Sequence, residues 1–289
     1  VVGIHGNFDQ AQSGVKQMFE DRELEKELAD HGYQFSSANS INIGRLVPQV
    51  VYYVYAYAKL LQNGEIREGE EINVTVPTGN FGNILAAYYA KQMGIPIAKL
   101  ICASNENKVL FDFFQTGTYD KNRKFVLTTS PSMDILVSSN LERLIYQIAG
   151  GDTKKNAELM AALKTKGVYE ITPDMREGLK DFVGGYASEE QTWQAIHDTY
   201  AATGYVMDTH TAVASHVCKA YREETKDPHK TVIASTASPY KFVTSVMEAI
   251  DPKYKGVDEF ELMGELQKLS KTELPNAITE IMDAKILHK

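Results

Sequence analysis

"INVTVPTGNFGNILAAYYAKQMGIPIAKLICAS", Ile72 to Ser104, is the stretch from which the fold is read. "INVTVP" is a run of alternating β-branched residues that stops at Pro77, the mark of a strand. Phe81, Ile84, Leu85, Tyr88 and Tyr89 then recur at the spacing of one helical stripe, and Gly94 closes it. "PIAKLICAS" is a second strand. Two strands joined through a helix run parallel, and parallel sheets are covered by helices on both faces. The prediction is a three-layer α/β/α fold with a mostly parallel sheet.

The turn between the first strand and the helix, "PTGNFGN", holds two glycines, two asparagines and no lysine. Main-chain N–H groups at such a turn, with the positive end of the helix dipole, make an anion site. Gly79 and Gly82 would leave the anion its space or allow a turn with φ > 0. Asn80 and Asn83 would add amide donors or tolerate the left-handed conformation. Neither G-x-x-x-x-G-K-[ST] nor G-x-G-x-x-G occurs, so the loop fits a small phosphate on a cofactor's tail. A plain tight connection between strand and helix is the competing reading. A second loop, "VIASTASPYKF", puts Ser235, Thr236 and Ser238 just past an apolar strand, where open α/β sheets place ligand groups. Those hydroxyls read either as helix caps or as a neutral partner for a heterocyclic nitrogen.

Working outward, "VVGIHG" reads as a short strand, followed by a helical hairpin or one long helix capped by Asn7 or Asp9. "YQFSSANSINIG" is linker-like. "RLVPQVVYYVYAYAKLLQNG" is apolar on most faces and reads as a helix buried between layers, starting near Gly44 or kinked at Pro48, and ended by Asn63 and Gly64. A helix after "SPSMDILVSS" takes Ser138 or Ser139 as its cap. Residues 151–203 read as mostly helical, an insertion in the larger lobe.

The 289 residues are 43% apolar and 24% charged, which is globular composition with room for a large core. A net charge of −8 argues against nucleic acid as the main partner, since phosphate backbones need clustered cations. No run approaches about 18 apolar residues, so no membrane span is predicted. Cys102 and Cys218 read as two buried reduced thiols of a cytoplasmic protein. H-E-x-x-H, C-x-x-C and G-x-S-x-G are all absent, which leaves a metal site and a serine hydrolase unsupported.

With both loops in view, the chain resembles threonine synthase, a fold-type II pyridoxal-phosphate enzyme. The resemblance is carried by "GNFDQAQ", "SSANSINIGRL", "PTGNFGN", "ICASNENKVL", "SPSMDILVSSNLERL", "DTHTAVA" and "STASPYKF", in order along most of the chain. It implies conversion of O-phosphohomoserine and water to threonine and phosphate, with pyridoxal 5'-phosphate as electron sink. It also implies that Gly79, Asn80, Phe81, Gly82 and Asn83 hold the cofactor's phosphate and that Thr236 meets its pyridine nitrogen. The family's Schiff-base lysine, in an "F-K-D" setting upstream, has no counterpart here. Lys16, Lys26 and Lys59 are the only lysines before Val74, and all three sit in helical patterns.

The expectation is therefore a C-terminal part of such an enzyme, inactive alone and without a catalytic residue of its own. Residues 1–35 would be the tail of a smaller companion lobe, and 36–289 the lobe that holds the cofactor's phosphate. The missing N-terminal lobe would be its partner. A substrate with a carboxylate and a phosphate needs cations and donors, for which Arg45, Lys241, Ser40, Asn42 and His210 are the candidates. Surface salt bridges would explain the two cations as well, and caps or packing the other three. The alternative function is a non-catalytic chain that binds a phosphorylated metabolite or a protein.

Overall fold

The computed structural model describes residues 5–6, 8–282 and 284–285. Helices α1 (Phe8–Glu20), α2 (Arg22–Asp30), α3 (Ile43–Leu46) and α4 (Val50–Gln62) come first. Strand β1 (Ile72–Pro77), α5 (Gly82–Gln92), β2 (Ile97–Ser104), α6 (Val109–Thr116) and β3 (Thr118–Asp120) follow. Then come α7 (Leu141–Ile148), α8 (Thr153–Lys166), β4 (Val168–Glu170), α9 (Pro173–Glu177) and β5 (Phe182–Tyr186). Helices α10 (Glu189–Thr203) and α11 (Thr209–Thr225), β6 (Lys230–Ile233), α12 (Val243–Ile250), α13 (Glu259–Ser270) and α14 (Asn276–Met282) complete the order. Of the opening strand expected at 1–6, residues 1–4 lie outside the described residues, as does the candidate cap Asn7.

The main sheet has the order β5-β2-β1-β6, and every pairing in it is parallel. Alternation along the strands divides the core. Val74, Val76, Leu100 and Cys102 join the large cluster with α4, α5 and α6. Ile101 and Ala103 face the other way, onto Val213, Ala214 and Val217 of α11. Helices α10, α12 and α13 enclose a third apolar cluster. The result is the expected three-layer α/β/α arrangement. Both cysteines are free and buried, and burial pushes the Cys102 thiol up to about 12. Among the described residues no helix is long and apolar enough to cross a membrane.

Two local readings differ from the structure, and the structure decides a third. Residues 151–203 are mostly helical, as α8, α9 and α10, but they are not an insertion: they also supply β4 and β5, and β5 pairs with β2 in the main sheet. Its centre is Gly184-Gly185, which hides the strand pattern. A Cβ at 185 would collide with Val217, and one at 184 would sit tightly against Phe111 and Phe114, so both faces of β5 are closely covered. The long helix starts at Ile43, beside Gly44, and is interrupted at Pro48 as the sequence allowed: a 3-10 turn, Val47–Gln49, divides it into α3 and α4, with Pro48 near the start of the turn, where the missing N–H costs nothing. And α4 is buried on one face alone. Val50, Tyr53 and Tyr57 pack inward, whereas Val51, Tyr52 and Tyr55 are each about 60% exposed.

Candidate active site

The carboxyl ends of β1 and β6 open into a cleft of about 890 Å3, within the range of small-molecule sites. The glycine loop from Gly79 to Asn83, Ser40, Arg45, His210, Ser235 and Thr236 all line it. Segments far apart in the sequence thus meet where an open parallel sheet presents its ligand groups. Asn42 and Lys241 do not line it. Asn42 is consumed as the cap of α3, its carbonyl accepting from the Gly44 N–H at 2.9 Å and its amide donating to the Ser37 carbonyl. Lys241 lies outside, with Nζ over the Phe242 ring at 5.4 Å.

The glycine loop has an internal logic that the sequence does not display. Its left-handed residue is Phe81, at φ 67°, not a glycine. A non-glycine residue there costs about 1 kcal/mol or more, and a buried ring over-determines it. Phe81 is 1% exposed and packs on Phe114 and Phe182, so only its main chain is available to a ligand. Gly79 is required because a Cβ would collide with the Ser132 carbonyl, and Gly82 because one would collide with Ser40. The glycines serve close approach of neighbouring chain rather than positive φ.

The loop carbonyls are turned to one side. Ser138 Oγ donates to the Gly79 carbonyl at 2.6 Å, and the Asn140 N–H and Nδ2 both donate to the Asn80 carbonyl, at 3.0 and 2.9 Å. In a trans peptide the N–H points opposite to its C=O, so the amides of Asn80 and Phe81 face away from the 138–140 turn. No side chain caps the start of α5. Ser138 and Ser139 do not cap α7 as expected; that place falls to Asn140, and Ser139 Oγ donates to Asn80 Oδ1 instead. Asn80 Oδ1 accepts from Ser139, while Asn83 accepts from the Tyr53 hydroxyl and donates to Gln49 Oε1. What the loop offers is main-chain N–H and a helix dipole, a donor set that fits a phosphate.

His210 is 3% exposed in the first turn of α11, which Asp208 caps. Its Nε2 accepts from the Ser132 N–H at 3.2 Å, so the proton resides on Nδ1, 3.2 Å from Asp208 Oδ1. Burial raises the Asp208 carboxyl, but hydrogen bonds from His210 and Thr211 outweigh it and hold it below the usual range. Thr211 Oγ1 also reaches Ser235 Oγ at 3.1 Å, which ties α11 to the second loop. Thr236 beside it lines the cleft with an exposed side chain. Arg45 is exposed and forms no ion pair among the described residues.

Asn105, Asn107 and Asp134 form a buried network behind the Ser132 turn. Asp134 Oδ1 accepts from Asn105 at 2.7 Å, Thr128 Oγ1 at 2.7 Å and Asn107 at 3.1 Å. Burial raises its carboxyl in spite of those bonds. The network holds the Ser132 turn against Gly79, a structural task. Two site residues escaped the sequence reading, Gln49 and Tyr53. Both line the cleft and connect to Asn83, and a glutamine and a tyrosine inside an apolar run gave no signal.

Residues 211–287 match the family described as threonine synthase, C-terminal. Threonine synthase-like 1 of Homo sapiens is 46% identical over 261 residues, covering 89% of this chain and 34% of that protein. Threonine synthase of Saccharomyces cerevisiae is 37% identical over 287 residues, covering 93% and 54%. The crystal structure of threonine synthase from Brucella melitensis, solved with pyridoxal phosphate bound, superposes with a TM-score of 0.76 at 36% identity, covering 94% and 54%. The chain spans about half the length of the threonine synthases it matches, and a third of the threonine synthase-like protein. Residues 211–287 carry the C-terminal domain of the threonine synthase family, and the chain as a whole is similar to about half of such a protein.

Proposed function

We propose that this chain is the portion of a threonine synthase that grips the phosphate of pyridoxal 5'-phosphate and the substrate, O-phosphohomoserine. The observation that carries the reading is the uncapped start of α5, entered by a loop whose carbonyls are turned away, in one cleft with Arg45 and Thr236. When bound, the cofactor would supply the electron sink for loss of protons and of the substrate's phosphate. The main-chain amides from Gly79 to Asn83 would neutralise its phosphate, and the Thr236 hydroxyl would meet its ring nitrogen without a charge. Arg45 would clasp the substrate's phosphate through parallel N–H bonds. His210, neutral and already accepting from Ser132, is assigned to holding that turn, not to proton transfer. In this reading the lysine that holds the cofactor covalently belongs to the remainder of the full-length protein, as do residues 1–35 to a companion lobe.

The test is direct. Full-length protein should release phosphate from O-phosphohomoserine and form threonine in equal amounts. Arg45→Ala should raise the KM for O-phosphohomoserine at least tenfold, the loss of one charged hydrogen-bonded contact, with little change in cofactor affinity. Unchanged KM would remove Arg45 from the site; no threonine at all would end the enzyme reading. A second reading, a protein that binds a phosphorylated metabolite without making threonine, is favoured by the higher identity to threonine synthase-like 1. Phosphate-ester binding without threonine would decide for it.

A further inference from the structure

We propose that Gln49 is a positioning residue that couples the two phosphate sites of the cleft; this rests on the functional reading above. Gln49 stands half-buried at the end of the 3-10 turn between α3 and α4. Its Nε2 donates to Ser40 Oγ at 2.7 Å and to the Arg45 carbonyl at 2.8 Å. Its Oε1 accepts from Asn83 Nδ2 at 3.2 Å. The orientation of the amide is fixed, because a flipped group would set its oxygen against the Arg45 carbonyl, which has no proton to give. Asn83 completes its own set by accepting from the Tyr53 hydroxyl. Tyr53 is 4% exposed, and burial raises its hydroxyl well above the usual range, so it remains a donor.

One side chain thus braces the first turn of α5 on one side and the main chain of Arg45 on the other. Direct packing reinforces the brace, since Gly82 has no room for a Cβ beside Ser40. A phosphate on the α5 amides fixes the position of Asn83, Asn83 fixes Gln49, and Gln49 fixes the backbone from which the Arg45 guanidinium extends. The entropy of ordering the Arg45 turn is then spent when the first anion binds, and the second anion binds to a turn already set. Linkage requires the effect to be mutual.

The probe for the first site is pyridoxine 5'-phosphate, which lacks the aldehyde and does not react. Full-length protein freed of cofactor is titrated with O-phosphohomoserine by calorimetry, with and without saturating pyridoxine 5'-phosphate. Wild type should bind O-phosphohomoserine about fivefold or more tightly when the first site is filled. In Gln49→Ala and Gln49→Met, the second of which retains the packing volume, that gain should shrink to less than twofold while each ligand alone still binds. A gain that persists in both variants overturns the role of Gln49 and leaves the proposed function standing. Failure of wild type to bind either ligand overturns both.

Discussion

The two ends of the parallel sheet use the same residue types to opposite purposes. At the amino end, Asn73 of β1 accepts from the Lys99 N–H at 3.1 Å and donates to Asp227 Oδ2 at 2.9 Å. Asp227 also accepts from the Tyr221 hydroxyl at 2.6 Å, the His229 N–H at 2.9 Å and His229 Nδ1 at 2.6 Å. These groups satisfy one another, and His229 Nε2 lies 3.8 Å from Glu71 Oε2 at the surface. At the carboxyl end, asparagines, a tyrosine and a histidine are again hydrogen bonded, but they hold a loop whose helix start has no cap and an arginine with no ion pair among the described residues. Buried polar groups that satisfy one another stabilise a fold; polar groups arranged so that others stay open to a cleft make a site.

The largest effect should come from closing the open end. Gly79→Ala sets a methyl group against the Ser132 carbonyl, a backbone atom that cannot rotate away. We expect a loss of about 2–3 kcal/mol of stability in urea unfolding and abolition of pyridoxine 5'-phosphate binding in whatever protein remains folded. A variant that still binds within threefold of wild type would show that the loop is not the phosphate cradle. At the closed end, Asp227→Asn should cost about 2 kcal/mol and leave ligand binding untouched. Burial tends to raise the Asp227 carboxyl, yet the bonds from Tyr221, His229 and Asn73 hold it well below the usual range. A depressed carboxyl contributes stability above its unfolded pKa, near 4, and loses that contribution as pH falls through the folded value. The gap between wild type and variant should therefore be full at pH 7 and narrow steadily below about pH 4. A gap independent of pH would mean that charge has no part in it.

What the sequence revealed followed the range of the interactions. The β1–α5–β2 unit is written in local periodicity, and it appears where expected. The meeting of Arg45, the glycine loop and Thr236 was implied by the resemblance to threonine synthase, and local pattern alone does not contain it. Strand β5 was missed because Gly184 and Gly185 answer to α6 and α11, elements distant in sequence. Ser138 and Ser139 looked like helix caps, because nothing local says that their hydroxyls reach a loop 59 residues earlier. Helix α4 looked buried between layers because it is apolar on most faces, yet Val51, Tyr52 and Tyr55 remain open. Gln49 has no periodicity at all, and its role exists solely through its three partners.

The smallest effect should be at the border of the cleft. Charge and motif alone made Lys241 a second candidate cation beside Arg45. Its ammonium instead sits over Phe242, whose ring lies 4.7 Å from that of His210, so it touches the site through two aromatic rings and not directly. An exposed cation–π contact of this kind is worth about 0.5–1 kcal/mol. Lys241→Ala should therefore lower stability by no more than that and change the KM for O-phosphohomoserine less than twofold, against at least tenfold for Arg45→Ala. A fivefold rise for Lys241→Ala would mean that the ammonium swings off its ring when substrate enters. The open end of the sheet would then extend past Phe242, and the contrast with the closed end would hold over a wider surface.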